Sequence, residues 1–507
     1  MNLNRTEFDV IILGGGITGA GTARDCALRG LSVLLIEKGD ISNGATGRNH
    51  GLLHSGARYA VTDRESAEEC IRENRILKSV APHCVEDTSG VFITLPEDDL
   101  SYQSTFVDSC LAAGIDAEVM DPKEILAMEP SVNPGIIGAV RVPDGAVDPF
   151  RLCASNIHDA RLHGAVVLTY HEVIRFIQDG TDILGVEVRD IKTGETSEFC
   201  APVTVNACGI WGWKMVRMAG AELGMFPAKG SMLIYSRRVN KMAINRCRKP
   251  ANADILVPGG PVSVIGTTSS RVPFDQCDNP SVTKEEVDEL LREGEKLAPV
   301  LSGARILRAY AGVRPLVSMD NDPSGRSVSR GFVCIDHQSL DGIGGFVTIA
   351  GGKLTSYRLM AEKTADLVCA KLGVSRICRT AELILPDPSC RDAREEYDGP
   401  MVCECEKITE NELRKYASRD GVDRLSGFRR RSRFGMGVCQ GILCACRASA
   451  ILSDETGNAG RASEDLHGFM HERWKGLSPV AWGDTLREIE RTQWIDSEII
   501  GINGDQA

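Results

Sequence analysis

The sequence predicts an α/β protein in three parts: a parallel-sheet unit, a mixed α+β middle, and a small cysteine-rich domain near the C-terminus. Three observations carry this. The chain opens with a strand–glycine–helix–strand signature, "FDVIILGGGITGAGTARDCALRGLSVLLIEKGD". Strand-like and helical segments then alternate through its middle, and five of its 18 cysteines fall between Cys403 and Cys446. At 507 residues the chain exceeds a single core, because domains usually run to ~100–200 residues.

The opening elements follow in order. Phe8–Leu13 is a nearly continuous apolar run, as in a strand buried on both faces of a parallel sheet. Gly14, Gly16 and Gly19 supply G-x-G-x-x-G, a proline-free helix is expected from Thr18 to Arg29, and "SVLLIE" is the second strand. Glu37 closes that strand 18 residues after Gly19. Each part suits a dinucleotide in a Rossmann-like unit. The glycines admit the pyrophosphate, the helix N-terminus offers it unpaired N–H groups, and Glu37 accepts from a ribose diol. Glutamate here disfavours a 2′-phosphate, leaving NAD or FAD.

The next segment, "ISNGATGRNHGLLHSGARYA" (Ile41–Ala60), is long, glycine-rich and polar where a nicotinamide enzyme would continue with another βα unit. It resembles the flavin-contacting loop of FAD-dependent oxidoreductases related to D-amino-acid oxidase. Within it, "HSGARY" (His54–Tyr59) resembles the H-G-G-x-R-Y of flavin-dependent glycerol-3-phosphate dehydrogenases.

The middle reads as a helix around Ser66–Val80, a strand at Gly90–Leu95, a turn and helix start in "VPDGAVDPFRL", and a strand running into glycine in "VTVNACGIWG". "RAYAGVRPL" places Arg314 just before a proline. "GGFVTIAGGKLTSYR" reads as strand, Gly-Gly turn and helix, with Lys353 and Thr355 expected in the helix's first turn. A helix starting there would face the negative charge a reduced flavin develops. Arg58, Arg314 and Lys353 are cations on three segments, each near a glycine turn, and would suit a small anion such as a phosphate monoester.

From Phe8 to about Arg379 the chain therefore resembles the FAD-dependent glycerol-3-phosphate dehydrogenases. The resemblance implies a fold of the glutathione-reductase/D-amino-acid-oxidase type and oxidation of sn-glycerol 3-phosphate to dihydroxyacetone phosphate by hydride transfer to FAD. It implies catalytic roles for Arg58, Arg314, Lys353 and Arg330. It implies FAD contacts at Gly14, Gly16, Thr18, Gly19, Glu37 and Thr46, at Gly51, Leu52 and Val173, and at Gly209, Gly352 and Thr355. The FAD-binding parts would be about 1–85, 142–225 and 326–380, and the substrate parts about 86–141 and 226–325. One departure stands out: aerobic relatives carry a histidine after K-G-S where this chain has Met232, which takes no proton, so the catalytic base is open.

After a linker at 386–400, Cys403 and Cys405 form C-x-C and Cys439 and Cys444 form C-x₄-C. Between them a helix is expected with Thr409 as N-cap and Glu412 three residues on. Four thiolates from two loops suit Zn²⁺ or an iron–sulfur cluster, and the spacing does not choose. The region (401–450) resembles the [2Fe–2S] domain of bacterioferritin-associated ferredoxin, in the C-x₄-C variant found in the flavin-carrying chains of anaerobic glycerol-3-phosphate dehydrogenases. That resemblance implies a [2Fe–2S] cluster on Cys403, Cys405, Cys439 and Cys444, with Cys446 as an alternative to Cys444. It also implies two partner subunits, one of them a membrane-associated iron–sulfur protein, and a quinone acceptor.

"RRRSR" (Arg429–Arg433) would offset cluster charge, dock an acidic partner or simply face water. In the helical extension 451–507, Trp474, Trp482 and Trp494 read as core, with a contact to another subunit as the sharper alternative. The net charge of −12 argues against non-specific nucleic-acid binding. With no secretory signal and no apolar run of about 18 residues, the expected location is the cytoplasm, at the inner face of the membrane through partners. Two other readings stay open: an FAD-dependent 2-hydroxy acid dehydrogenase, since "GRNHGLLHSG" also resembles that group, and a non-catalytic, zinc-binding redox or scaffold protein.

Overall fold

The computed structural model describes residues 6–317, 331–389 and 399–499. Its first layer is a six-stranded sheet in the order Phe332–Asp336, Phe346–Gly351, Val203–Asn206, Val10–Leu13, Val33–Glu37, Val166–Thr169. All its neighbours are parallel except the antiparallel edge strand Phe332–Asp336. The continuous apolar runs are explained by two covers. Val10, Ile12, Val33 and Leu35 face a core shared with the helices Ile17–Leu28, Pro149–Leu162 and Tyr357–Lys371. Their alternates Ile11, Leu13, Leu34 and Ile36 face Phe176, Val186 and Val188 of an antiparallel three-stranded sheet, His171–Asp179, Asp182–Asp190 and Thr196–Cys200.

The chain leaves this layer twice to build a second, mostly antiparallel sheet. The first excursion gives Gly90–Thr94, Glu118–Met120 and Gly138–Val142; the second runs from Met225–Tyr235 to Ile306–Val317. Those two long strands pair antiparallel from Met225↔Val317 to Tyr235↔Ile306. The helix Lys284–Leu297 buries Val287, Leu290 and Leu297 against this sheet. Its start is fixed by a reciprocal Thr283/Glu286 capping box.

The cysteine region folds around its own core. A short hairpin, Met401–Cys403 with Ile408–Thr409, leads into the helices Glu410–Asp420, Leu425–Ser432 and Ala445–Thr456. Thr409 caps the first of these by accepting from the Glu412 N–H at 3.3 Å. Leu466 and Phe469 of the helix Ala459–Leu477 close that core, while Val480 packs into the core of the second sheet. The extension thus ties the two together.

The tryptophans depart from the core reading: Trp474, Trp482 and Trp494 are 48%, 43% and 61% exposed. The helix Ala459–Leu477 turns Ala462, Leu466, Phe469 and Leu477 inward, and the helix Gly483–Trp494 turns Thr485, Ile489 and Thr492 inward, so the indoles are left outside. The basic run also has a different setting from any expected. It packs on the chain's own acids, with Arg431 on Asp40 and Arg433 on both Asp148 and Glu406. No disulfide joins the described cysteines, and no described helix is long and apolar enough to cross a membrane.

One buried ion pair pins the helix behind the Gly-Gly turn. Arg358 donates to both oxygens of Glu73 at 2.7 Å, with side chains 5% and 0% exposed. Burial pushes the Glu73 carboxyl up, and Arg358 pulls against it. Removing the acid leaves a buried guanidinium whose remaining partners include the half-buried Glu362 and the Thr380 hydroxyl at 3.1 Å. Glu73→Ala is therefore expected to cost ~3–5 kcal/mol, read as a lowered urea midpoint; a loss below ~1 kcal/mol would contradict this account.

Candidate active site and thiol cluster

A cavity of about 1190 Å³ opens at the carboxyl ends of the parallel strands, where the six-stranded and nine-stranded sheets meet. Gly14, Gly16, Thr18 and Glu37 line it. Gly19 stands behind them, and only glycine fits there, because a Cβ would overlap the Gly14 carbonyl oxygen. The carboxylate of Glu37 accepts from Gly15 N–H at 2.6 Å and Gly39 N–H at 2.7 Å. Burial raises its pKa against those two bonds. Thr46 lines the same end and its hydroxyl oxygen accepts from Ile17 N–H at 3.0 Å, so it anchors the helix start as well.

Leu52, Val173, Gly209 and Gly352 continue the wall. Gly51 lies one layer back, its carbonyl accepting from Val147 N–H at 2.7 Å. Thr355 is 1% exposed, and its hydroxyl oxygen accepts from His54 N–H at 3.2 Å. The helix beyond the Gly-Gly turn begins at Tyr357, later than expected. Lys353 and Thr355 therefore lie in the turn before it, which is closed by a Ser356 N–H to Lys353 carbonyl bond at 3.2 Å.

Arg58, Arg314 and Lys353 line this one cavity, although they stand on a 3₁₀ turn, a strand of the second sheet and the Gly-Gly turn. Arg58 Nη2 donates to the Ala251 carbonyl at 3.1 Å and to Asp254 at 3.4 Å, while Nη1 is buried without a hydrogen-bond partner among the described residues. Arg314 Nη2 donates to Thr267 Oγ1 and, at 3.1 Å, to the Thr268 carbonyl. Lys353 Nζ stands 4.9 Å from the Tyr59 ring centre. Arg330 lies outside the described residues. Met232 is in the wall.

Two histidines join these cations, neither of them expected from the sequence as a site residue. The ring of His54 packs 5.4 Å from Tyr59 and 5.9 Å from His50, and both histidines line the cavity. Burial, then Arg314 and Arg58, push His50 down to about 3. Its Nδ1 accepts from Leu52 N–H at 3.1 Å, which fixes the remaining proton on Nε2. His50 is thus a neutral donor and not a base. The signal for His54 was in the sequence, as the first residue of "HSGARY"; that for His50 was not, because its state depends first on burial and then on Arg314, far along the chain, with Arg58.

The four cysteines of the two loops come together. Cys403 and Cys439 each meet the Cys444 thiol, and Cys439 meets Cys405. N–H groups of Gly435 and Glu406 point at Cys403, and those of Leu443 and Gly441 at Cys439. The Cys444 bond, against burial and with those N–H groups, holds Cys439 down at about 5 and Cys403 at about 7. Gly437 permits the approach of the loops, since a Cβ would overlap that of Cys405. The thiols touch pairwise in a chain; among the described residues no set of three or more His, Cys, Asp or Glu side chains surrounds a metal position.

Comparison with known proteins agrees with this geometry. The family model of FAD-dependent oxidoreductases (DAO) matches residues 9–358. The chain is 55% identical to the A chain of the anaerobic glycerol-3-phosphate dehydrogenase of Escherichia coli (strain K12), across 98% of each protein. It is 40% identical to the A1 chain of the anaerobic glycerol-3-phosphate dehydrogenase of Haloferax volcanii, across 98% of this protein and 91% of that one. Among solved structures, the glycerol-3-phosphate dehydrogenase of Bacillus halodurans complexed with FAD superposes with a TM-score of 0.67 at 21% identity, covering 95% of this chain and 97% of that one.

Proposed function

The chain belongs to the FAD-dependent oxidoreductases, in the family of the A chains of anaerobic glycerol-3-phosphate dehydrogenases, and on that premise we propose that it oxidises sn-glycerol 3-phosphate to dihydroxyacetone phosphate. The observation that carries this reading is the set of three cations, Arg58, Arg314 and Lys353, in one dinucleotide-sized cavity with two histidines. Bound FAD would supply the hydride acceptor for C2, and a [2Fe–2S] cluster a one-electron outlet. Glu37, Thr18 and the glycines of the fingerprint would hold the dinucleotide, with Thr46, Leu52, Val173, Gly209 and Gly352 along its wall.

The chain's own residues divide the remaining work. Arg58 and Arg314 offer their guanidinium groups to the substrate's phosphate. His54 takes the proton of the C2 hydroxyl, the role that Met232 cannot fill and neutral His50 does not fill. Lys353 and the His50 Nε2–H stabilise charge that develops on that oxygen. Arg330 keeps a substrate role by resemblance alone. On this reading the FAD-dependent part spans 1–385, the linker 386–400, the cluster domain 401–450 and the helical extension 451–507.

The thiols suit the cluster proposed for Cys403, Cys405, Cys439 and Cys444: they meet from two loops, the Cys444 bond holds Cys403 and Cys439 below the usual thiol range, and backbone N–H groups add to it. Electrons would pass to two partner subunits, one of which is a membrane-associated iron–sulfur protein, and on to a quinone. This chain would then sit peripherally on the inner face of the membrane. The exposed Trp474, Trp482 and Trp494 offer a contact surface for such a partner.

The test is an absorption spectrum of the anaerobically purified chain before and after sn-glycerol 3-phosphate. Bleaching of flavin and iron–sulfur bands supports the proposal; bands unmoved by this substrate but bleached by 2-hydroxyglutarate would replace it. Arg58→Ala should raise KM by about 10–100-fold, because a charged hydrogen bond is worth ~1.5–3 kcal/mol. Arg58→Lys should recover only part of this, since the fork geometry is lost. An unchanged KM for Arg58→Ala would remove Arg58 from the phosphate site.

A further inference from the structure

The cysteine domain is docked on the dinucleotide layer through charges internal to the chain. Arg431 forms a two-bond pair with Asp40, 2.9 Å on each arm, with side chains 5% and 2% exposed. Burial alone would raise Asp40, but Arg431 and Arg430 more than offset it and hold it at about 2. Arg430 donates to Asn43 at 2.8 Å, and Asp423 pairs with Lys192 at 2.7 Å. Asp40 and Asn43 belong to the loop that follows Glu37, and Asn43 lines the cavity. The seam therefore runs along the ribose end of the dinucleotide site.

One side chain crosses it. Arg424, the residue before the helix Leu425–Ser432, is itself part of the cavity wall. Its guanidinium carbon lies 5.0 Å from the centre of the Tyr170 ring, and Lys192 Nζ lies 4.5 Å from the same ring. Tyr170 is held there by a left-handed backbone (φ 61°), by its N–H to the Gly39 carbonyl at 2.8 Å and by its carbonyl to Ile191 N–H at 2.9 Å. Arg424 Nε is buried with no hydrogen-bond partner among the described residues. A buried guanidinium N–H left unmade is costly, so the side chain gains from any small shift that brings this N–H to an acceptor.

We propose that Arg424 is an FAD-binding residue supplied by the cysteine domain, which completes the adenosine end of the pocket, so that FAD binding and docking of that domain stabilise each other. The inference rests on the reading of this cavity as an FAD site. A planar cation beside a flat heteroaromatic ring gains from stacking. Reciprocity follows: whatever factor docking adds to FAD affinity, FAD adds to docking.

The experiment uses the full chain stripped of flavin and titrated with FAD, with the dissociation constant read from flavin fluorescence. Arg424→Ala should weaken FAD about tenfold and Arg424→Lys by less. Arg431→Ala, which touches the seam and not the cavity, should weaken it too. FAD should slow proteolysis between the two domains in the wild type, and slow it less in Arg424→Ala. FAD affinity within twofold of wild type in Arg424→Ala overturns the proposal and leaves the FAD site standing. A wild-type chain that binds no FAD overturns both.

Discussion

Replacing His54 with asparagine is expected to lower kcat/KM for sn-glycerol 3-phosphate by ~10²–10⁴-fold, the usual worth of a general base. Asparagine keeps a hydrogen-bond donor in the same place but takes no proton, so the loss reports proton transfer. The pH profile separates this from a structural effect. A base must be unprotonated to act, so wild-type activity falls as the pH drops through the base's pKa, which gives the acidic limb. His50 cannot produce that limb, because burial and two arginines keep it neutral down to about 3. His50→Asn should therefore preserve the acidic limb, while His54→Asn abolishes it. An acidic limb that survives in His54→Asn and vanishes in His50→Asn would reverse the assignment.

Gly19→Val is expected to strip the protein of flavin. A Cβ at this position would overlap the Gly14 carbonyl oxygen and lie against the Ala207 methyl, so the helix Ile17–Leu28 would have to lift off its strand. That lift carries Gly16, Thr18 and the helix's N-terminal N–H groups away from the pyrophosphate. With overpacking costing ~1–3 kcal/mol, FAD affinity should fall about 10–100-fold, seen as loss of yellow colour at unchanged far-UV circular dichroism. Full flavin content in Gly19→Val would show that the site tolerates the shift.

Much of the fold was legible because local pattern and final burial coincide. The apolar run before Gly14 became the strand Val10–Leu13, and Thr409 with Glu412 became a helix cap, since both signals act within one element. The Gly-Gly turn before Lys353 was also legible, but the helix start was not. That start depends on Ser356 closing a turn first. Trp474, Trp482 and Trp494 lie outside the core that their chemistry favours, because aromatic content says which residues gain from burial and not which helix face is left over.

The sequence by itself determined the dinucleotide fingerprint, the glycine turns, the two cysteine loops and the three cations, since each is a short stretch whose chemistry depends on its neighbours in the chain. The tertiary structure alone decided that Arg58, Arg314 and Lys353 share one cavity, that His50 is held neutral between two of those cations, and that Arg424 of the cysteine domain walls the site. It also turned the basic run Arg429–Arg433 inward as the dock for Asp40 and Asp148. The physical reason is range: backbone turns and caps are set by contacts a few residues apart, whereas the protonation state of a histidine or the partner of a buried arginine is set by charges and low-dielectric walls brought from hundreds of residues away.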